Sequence, residues 1–333
     1  MKMKRNTITP TQLLYKELCE EEKTIPLRQQ YWWFEAICPG QWEVLLVEEN
    51  GKIMAALPYH VRTKLGLKFI LQPQLTQATG PWLRAPEKTE SNGAKTDADR
   101  LTYEKHYLGK LIVQLEQLGL SYYEQGFHFS FTNWLPFYWA GYKQSTRYTY
   151  LIENIGNNEK VLSRFSSAKQ RQLRKAEKAE FSFEFDLKPD EFYALHKQFL
   201  ASRKEAAMID YSYLLFLRLW KVATARKQAQ IFALRDKLGN LHCAHFIVWD
   251  STSAYDLLYF IDPTYASSGA STLVIAEILK WLVGKTRSFD FEGSMIESVE
   301  NSYRQFGTVQ KAYFQIHKTF NPLAGWLIDW KKH

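Results

Sequence analysis

Two carboxylates, Asp290 and Glu292, alternate with Phe289 and Phe291 in a strand-like run, Ser288–Gly293. In an extended chain every second side chain lies on one face, so this spacing predicts that the carboxylates sit together. Glu292, with Asp290 beside it, is a candidate to accept an amine proton or to hold an ammonium. The competing reading is that the two cap the next turn or pair with Arg304. Tyr303 is a candidate proton donor to a leaving group, although in a chain with 19 tyrosines it is equally a core residue. Arg304 can clamp a phosphate or carboxylate through parallel hydrogen bonds, or form a surface ion pair with Glu297 or Glu300.

The elements before them supply a second feature. The apolar run Ala254–Ile261 predicts a strand, Asp262–Gly269 a loop of small and polar residues, and Ala270–Leu282 an apolar helix. Strand, loop, helix and parallel strand make a βαβ unit. The first turn of a helix has backbone N–H groups without intrahelical partners, and the helix dipole adds positive charge there. Such a start suits a phosphate or a developing oxyanion. Ser267, Ser268, Gly269, Ala270 and Ser271 therefore form the expected donor-binding loop, with Tyr259 and Asp256 on the strand leading into it. The alternative is an ordinary turn before a core helix.

A basic segment is the third. Asn157–Ala179 predicts one long helix carrying Lys169, Arg171, Arg174, Lys175 and Lys178. Three- and four-residue steps put the last four on one face. Arg171, Arg174 and Lys175 are candidates to hold a phosphate-rich substrate such as tRNA or a nucleotide-linked precursor, or they form a solvated face. His60, His245 and His317 stand isolated in strand-like runs. No His-x-x-x-His or Cys-x-x-Cys spacing occurs, so no metal site is expected. The sequence also has no Gly-x-Ser-x-Gly elbow and no phosphate-binding Gly-x-x-x-x-Gly-Lys-Ser/Thr loop.

At 333 residues, with 46% hydrophobic and 15% aromatic residues, the chain can build two globular cores. It holds no apolar run of about 20 residues, and its basic N-terminus leads into no apolar segment, so neither a membrane span nor a secretory signal is expected. Three scattered cysteines suit a reducing, cytoplasmic setting. A net charge of +8 favours anionic partners. The aromatic, basic stretch Phe320–His333 packs on the domain or touches a membrane surface.

The order of elements repeats. Trp42–His60, two strands joined by Asn50-Gly51, corresponds to Gln230–Asp250. The helical stretch Leu101–Leu118 corresponds to Ala270–Leu282. Phe137-Tyr-Trp-Ala-Gly141, followed by Arg147-Tyr-Thr-Tyr-Leu151, matches Tyr303-Arg-Gln-Phe-Gly307, followed by Tyr313-Phe-Gln-Ile316. The expected fold class is α/β of the α+β kind, with two tandem domains over residues 1–152 and 153–333. Each is expected to hold a mixed, mostly antiparallel sheet with a central parallel pair flanked by helices.

This order resembles the GNAT acyltransferase fold. Two units in tandem, with Arg164–Lys178 opening the second, resemble the Fem-like peptidyltransferase branch and its bacterial relatives. Pro136–Tyr150 and Phe289–Gly307 look like signatures of that branch. The resemblance implies transfer of an acyl or aminoacyl group to an amine acceptor, possible acceptors including a cell-envelope precursor. It implies acyl-CoA or aminoacyl-tRNA as co-substrate and no tightly bound cofactor. It also implies a second domain that takes the donor and a degenerate first domain on the acceptor side. The GNAT donor loop, Arg/Gln-x-x-Gly-x-Gly/Ala, is matched at Ala266–Ser271 only by Gly269. The coiled-coil arm of several Fem ligases is not visible in the sequence. The alternative is a catalytically silent GNAT pair that binds RNA or anionic lipid through residues 169–178.

Overall fold

The computed structural model describes residues 8–86, 96–203 and 210–323. Residues 1–7, 87–95 and 204–209 and the tail from 324 lie outside the described residues. In chain order the elements are α1 (Pro10–Glu21), α2 (Tyr31–Ile37), β1 (Trp42–Glu49), β2 (Lys52–Lys64), β3 (Leu67–Ile70), β4 (Trp82–Leu83), α3 (Asp97–Glu116), β5 (Tyr122–Gly126), α4 (Leu135–Trp139) and β6 (Lys143–Glu153). They continue with α5 (Asn158–Ser163), α6 (Ser167–Glu177), β7 (Ser182–Glu184), α7 (Pro189–Ala201), α8 (Tyr213–Ala225), β8 (Ala229–Arg235), β9 (Leu241–Trp249), β10 (Ser253–Ile261), α9 (Ala270–Leu282), β11 (Ser288–Asp290), α10 (Glu297–Arg304) and β12 (Val309–Thr319).

The chain forms two compact units. One runs to Arg147 and takes back the chain from Tyr313; the other is Tyr148–Ala312. In the first, β1 and β2 pair antiparallel around the Asn50-Gly51 turn, β2 pairs with β3, and β3 runs parallel to β5. The last strand belongs here because Gln315–Thr319 pair antiparallel with Tyr122–Gly126. Helix α3 joins the parallel strands. Thr96 caps it, bonded reciprocally with Asp99, and it buries Leu108, Leu111 and Leu115 in the core of this unit.

The second unit repeats the plan. Strands β8, β9 and β10 pair antiparallel in turn, β10 runs parallel to β11, β11 pairs antiparallel with β6, and β7 lies beyond β8. The apolar α9 joins the parallel pair and is buried on most sides, with Leu273, Val274, Ile278 and Leu282 in the core. Each unit is thus a mixed, mostly antiparallel sheet with one parallel pair and a crossover helix.

A single 3-10 turn, Leu27–Gln29, precedes α2, with Gln30 extended between them at φ −59°, ψ 140°. One expected helix is broken: the long helix at Asn157–Ala179 is α5 and α6. Asn157 and Ser166 each cap a helix with the side-chain oxygen, and the chain turns between them. Among the described residues no helix is long and apolar enough to cross a membrane.

Candidate active site

Where β10 hands over to α9, the backbone is set by a glycine. Gly269 is the N-cap of α9 at φ +86°, a conformation that a side chain would strain. A Cβ there would also lie 2.5 Å from the carbonyl oxygen of Gln172 and 3.3 Å from Cβ of Ala176, so α6 lies directly against the helix start. Thr272 Oγ1 donates to Gln172 Oε1 at 2.8 Å, and Lys175 Nζ donates to the Ser267 carbonyl at 2.7 Å. The row of open amides expected from Ser267 to Ser271 is therefore partly closed. Gly269 and Ala270 are buried, and the Ala270 N–H is taken by Ser268 Oγ at 3.2 Å. Ser267 is exposed and Ser271 half-buried.

Helix α6 divides the basic residues. Lys169, Leu173 and Ala176 form its buried stripe, while Arg171, Arg174, Lys175 and Lys178 are exposed. Lys169, expected on the outer basic face, instead points inward. Lys175 ties the loop to α6.

Beneath α6 and α9 lies a cavity of about 210 Å³, with Ser271, Tyr259 and Tyr303 on its wall and Ile261, Ile275 and Phe306 among its apolar lining. It also takes in His245, from β9, and Asp256, from β10. His245 Nδ1 lies 2.9 and 3.0 Å from the two oxygens of Asp256, and both residues are buried, at 4% and 5% exposure. The carboxylate accepts, so Nδ1 is the donor, and in the neutral ring the lone pair is then on Nε2. Among the described residues Nε2 is buried without a hydrogen-bond partner. The imidazole stacks on Tyr259, with centroids 5.7 Å apart and 19° between planes.

The register explains the grouping. Asp256 pairs with Ile247, and the ladder then shifts so that Leu258 pairs with Phe246 and Tyr259 with His245. Leu257 is the extra residue of a β-bulge. Asp256 and Tyr259, three apart, thus share the face that carries His245. Tyr259 and Tyr303 share the cavity wall, and burial, the largest cause, pushes both phenols above their usual values. Tyr303 stacks on Phe291 at 4.8 Å.

The carboxylates at the end of β11 are placed differently from expectation. The strand stops at Asp290, and Glu292 is left-handed at φ +66°, so the alternation does not reach it. Asp290 is buried; it accepts from Thr149 Oγ1 and, at 2.7 Å, from the Glu292 N–H. It fastens the turn, and neither carboxylate is on the cavity wall. Arg304 is exposed and spends its guanidinium on its own helix, with Asn301 Oδ1 at 2.7 Å and Glu300 Oε2 at 3.8 Å. Sequence reasoning put Lys169 on a basic outer face, read His245 as isolated and did not single out Arg203; all three line the cavity. The usable signal for His245 was its place in a hairpin opposite Asp256.

Residues 163–297, inside this second unit, match the family model described as an acetyltransferase (GNAT) domain. This stretch of the second unit is similar to a GNAT domain. Solved structures extend the fold likeness to the whole chain. FemX superposes with a TM-score of 0.65 at 10% identity, over 94% of this chain and 97% of that one. L-PGS from Bacillus licheniformis gives 0.53 at 13% identity, over 98% of each chain. A conserved protein of unknown function from Bacteroides thetaiotaomicron gives 0.57 at 10% identity, over 95% of this chain and 100% of that one. At such identities the likeness is one of fold. No curated protein matches the sequence.

Proposed function

We propose that the protein transfers an acyl or aminoacyl group to an amine, and that the reaction takes place in the cavity of its GNAT domain. The observation that carries this reading is the free, buried Nε2 of His245 held by Asp256 on the wall of that cavity. The amine nitrogen bonds to the donor carbonyl carbon, and its proton passes to Nε2. Asp256 stabilises the imidazolium that forms. The C–S or C–O bond to the leaving group then breaks. Tyr259 gives its hydroxyl proton to the leaving atom and is resupplied by Tyr303, which shares the cavity wall with it. The raised phenols stay protonated at neutral pH, as an acid requires.

The family model supports an acyl-CoA thioester as donor, and the Fem-like resemblance supports aminoacyl-tRNA. Arg171, Arg174 and Lys178, exposed on α6, suit the phosphates of either. A cell-envelope precursor is the acceptor that the resemblance favours. At about 210 Å³ the cavity is smaller than the roughly 300–1,000 Å³ of ordinary ligand clefts, so it takes only the reacting ends of the substrates. Thermal shifts with CoA, acetyl-CoA, a long-chain acyl-CoA and charged tRNA test the reading. At least one is expected to raise the melting temperature; no shift with any of them overturns it.

A further inference from the structure

We propose that the acceptor carries, beside its amine, an anionic group, carboxylate or phosphate, and that Lys169 holds this group inside the cavity. The inference rests on the acyl-transfer reading and adds the chemical class of the acceptor.

Lys169 is 7% exposed. Its ammonium donates to Ser302 Oγ at 3.2 Å and lies 4.2 Å from the ring centroid of Phe306. Both partners are neutral. Among the described residues no carboxylate lies within ion-pair distance of it, and Asp256, in the same cavity, is bound through both oxygens to His245. Burial alone pulls the Lys169 ammonium down to about 8. A buried ammonium without a counter-charge is costly, and such groups cluster where a ligand completes them.

The other charges on the wall do not supply the missing partner. Arg203, exposed, adds a second positive charge, and Tyr259 and Tyr303 are neutral phenols. With Asp256 as the negative group on this wall, the two cations leave a net positive charge of one when His245 is neutral. A plain amine, itself positive in water, would meet repulsion there. An acceptor whose anion pairs with Lys169 enters as a near-neutral zwitterion and turns its amine toward Nε2 of His245.

The test uses the full chain with its lysines carbon-13 labelled at Cε, and Lys169→Met to assign the signal. Glycine, aminomethylphosphonate and methylamine are titrated against it. We expect glycine or aminomethylphosphonate to bind roughly tenfold or more tightly than methylamine and to move the Lys169 titration upward from about 8. The better of the two identifies carboxylate or phosphate. Lys169→Met should lose the preference and Lys169→Arg should keep it. Equal binding of methylamine, or a preference that survives Lys169→Met, overturns the proposal. Because binding is read here and not turnover, the two readings fail separately. An anion preference without acyl transfer sinks the transfer reading alone. Transfer to methylamine as efficient as to glycine sinks this inference alone.

Discussion

His245 and Asp256 hydrogen-bond at 2.9 Å although they are not opposite partners in the β9–β10 ladder: Asp256 faces Ile247, and His245 faces Tyr259. The pair is diagonal, and the bulge at Leu257 turns Tyr259 onto the same face. One irregularity in one hairpin thus brings an imidazole, a carboxylate and a phenol onto one face. A histidine whose Nδ1 is fixed by a buried carboxylate presents Nε2 in one tautomer and one direction.

That arrangement predicts how the site responds to substitution. His245→Gln should lower the transfer rate by on the order of 10²–10⁴-fold while far-ultraviolet circular dichroism stays unchanged. Asp256→Asn should lose a comparable amount by releasing the tautomer. Steady-state rates with saturating donor check both, and a loss under tenfold in each would remove His245 from the reaction.

Tyr259 and Tyr303 should behave as one unit. Either change to Phe is expected to slow the transfer, and the double change to cost little more than the worse single one, because the two phenols serve one proton path. A double-mutant cycle on kcat measures this. Strict additivity would mean that they act independently.

Gly269→Ala should destabilise the second unit by about 1–3 kcal/mol, since it adds a left-handed residue and a contact with the Gln172 carbonyl. Denaturant unfolding reads the change. Unaltered stability would show that α6 does not press on the start of α9 as described.

Lys169 makes stability depend on pH in a direction opposite to that of a paired lysine. Its folded value is lowered to about 8 from 10.5, so below about pH 8 both states are protonated and the full burial penalty is present. Between about 8 and 10.5 the folded protein has released the proton while the unfolded chain still holds it, and the penalty is relieved. Lys169→Met is therefore expected to be more stable than the wild type at neutral pH by at most about 3 kcal/mol, with the gap closing over that window. A gap that does not change with pH would contradict this.

Much of the fold was legible because periodicity and caps agreed. The hairpin at Asn50-Gly51, the apolar α9 and the parallel strand after it stand where the sequence puts them. The expected helix from Asn157 to Ala179 did not account for Ser166, whose hydroxyl starts a new helix and turns Lys169 inward. Period-2 reasoning placed Glu292 with Asp290 and had no means to foresee a left-handed residue at Glu292. The same rule separates Asp256 from Tyr259, because a bulge is invisible to alternation. His245 looked isolated because its partner lies 11 residues away across a turn. The donor loop was legible as a helix start, but its cover by α6 depends on tertiary packing at Gly269.

The most direct measurement is mass-spectrometric detection of acyl transfer from acetyl-CoA, a long-chain acyl-CoA and aminoacyl-tRNA to amine acceptors, run side by side on the wild type and His245→Gln at equal donor occupancy. We predict a new amide product with at least one donor, reduced on the order of 10²-fold or more in the variant. Product formed equally fast by both proteins, or by neither with any donor, would contradict the assignment of this cavity as the site of transfer.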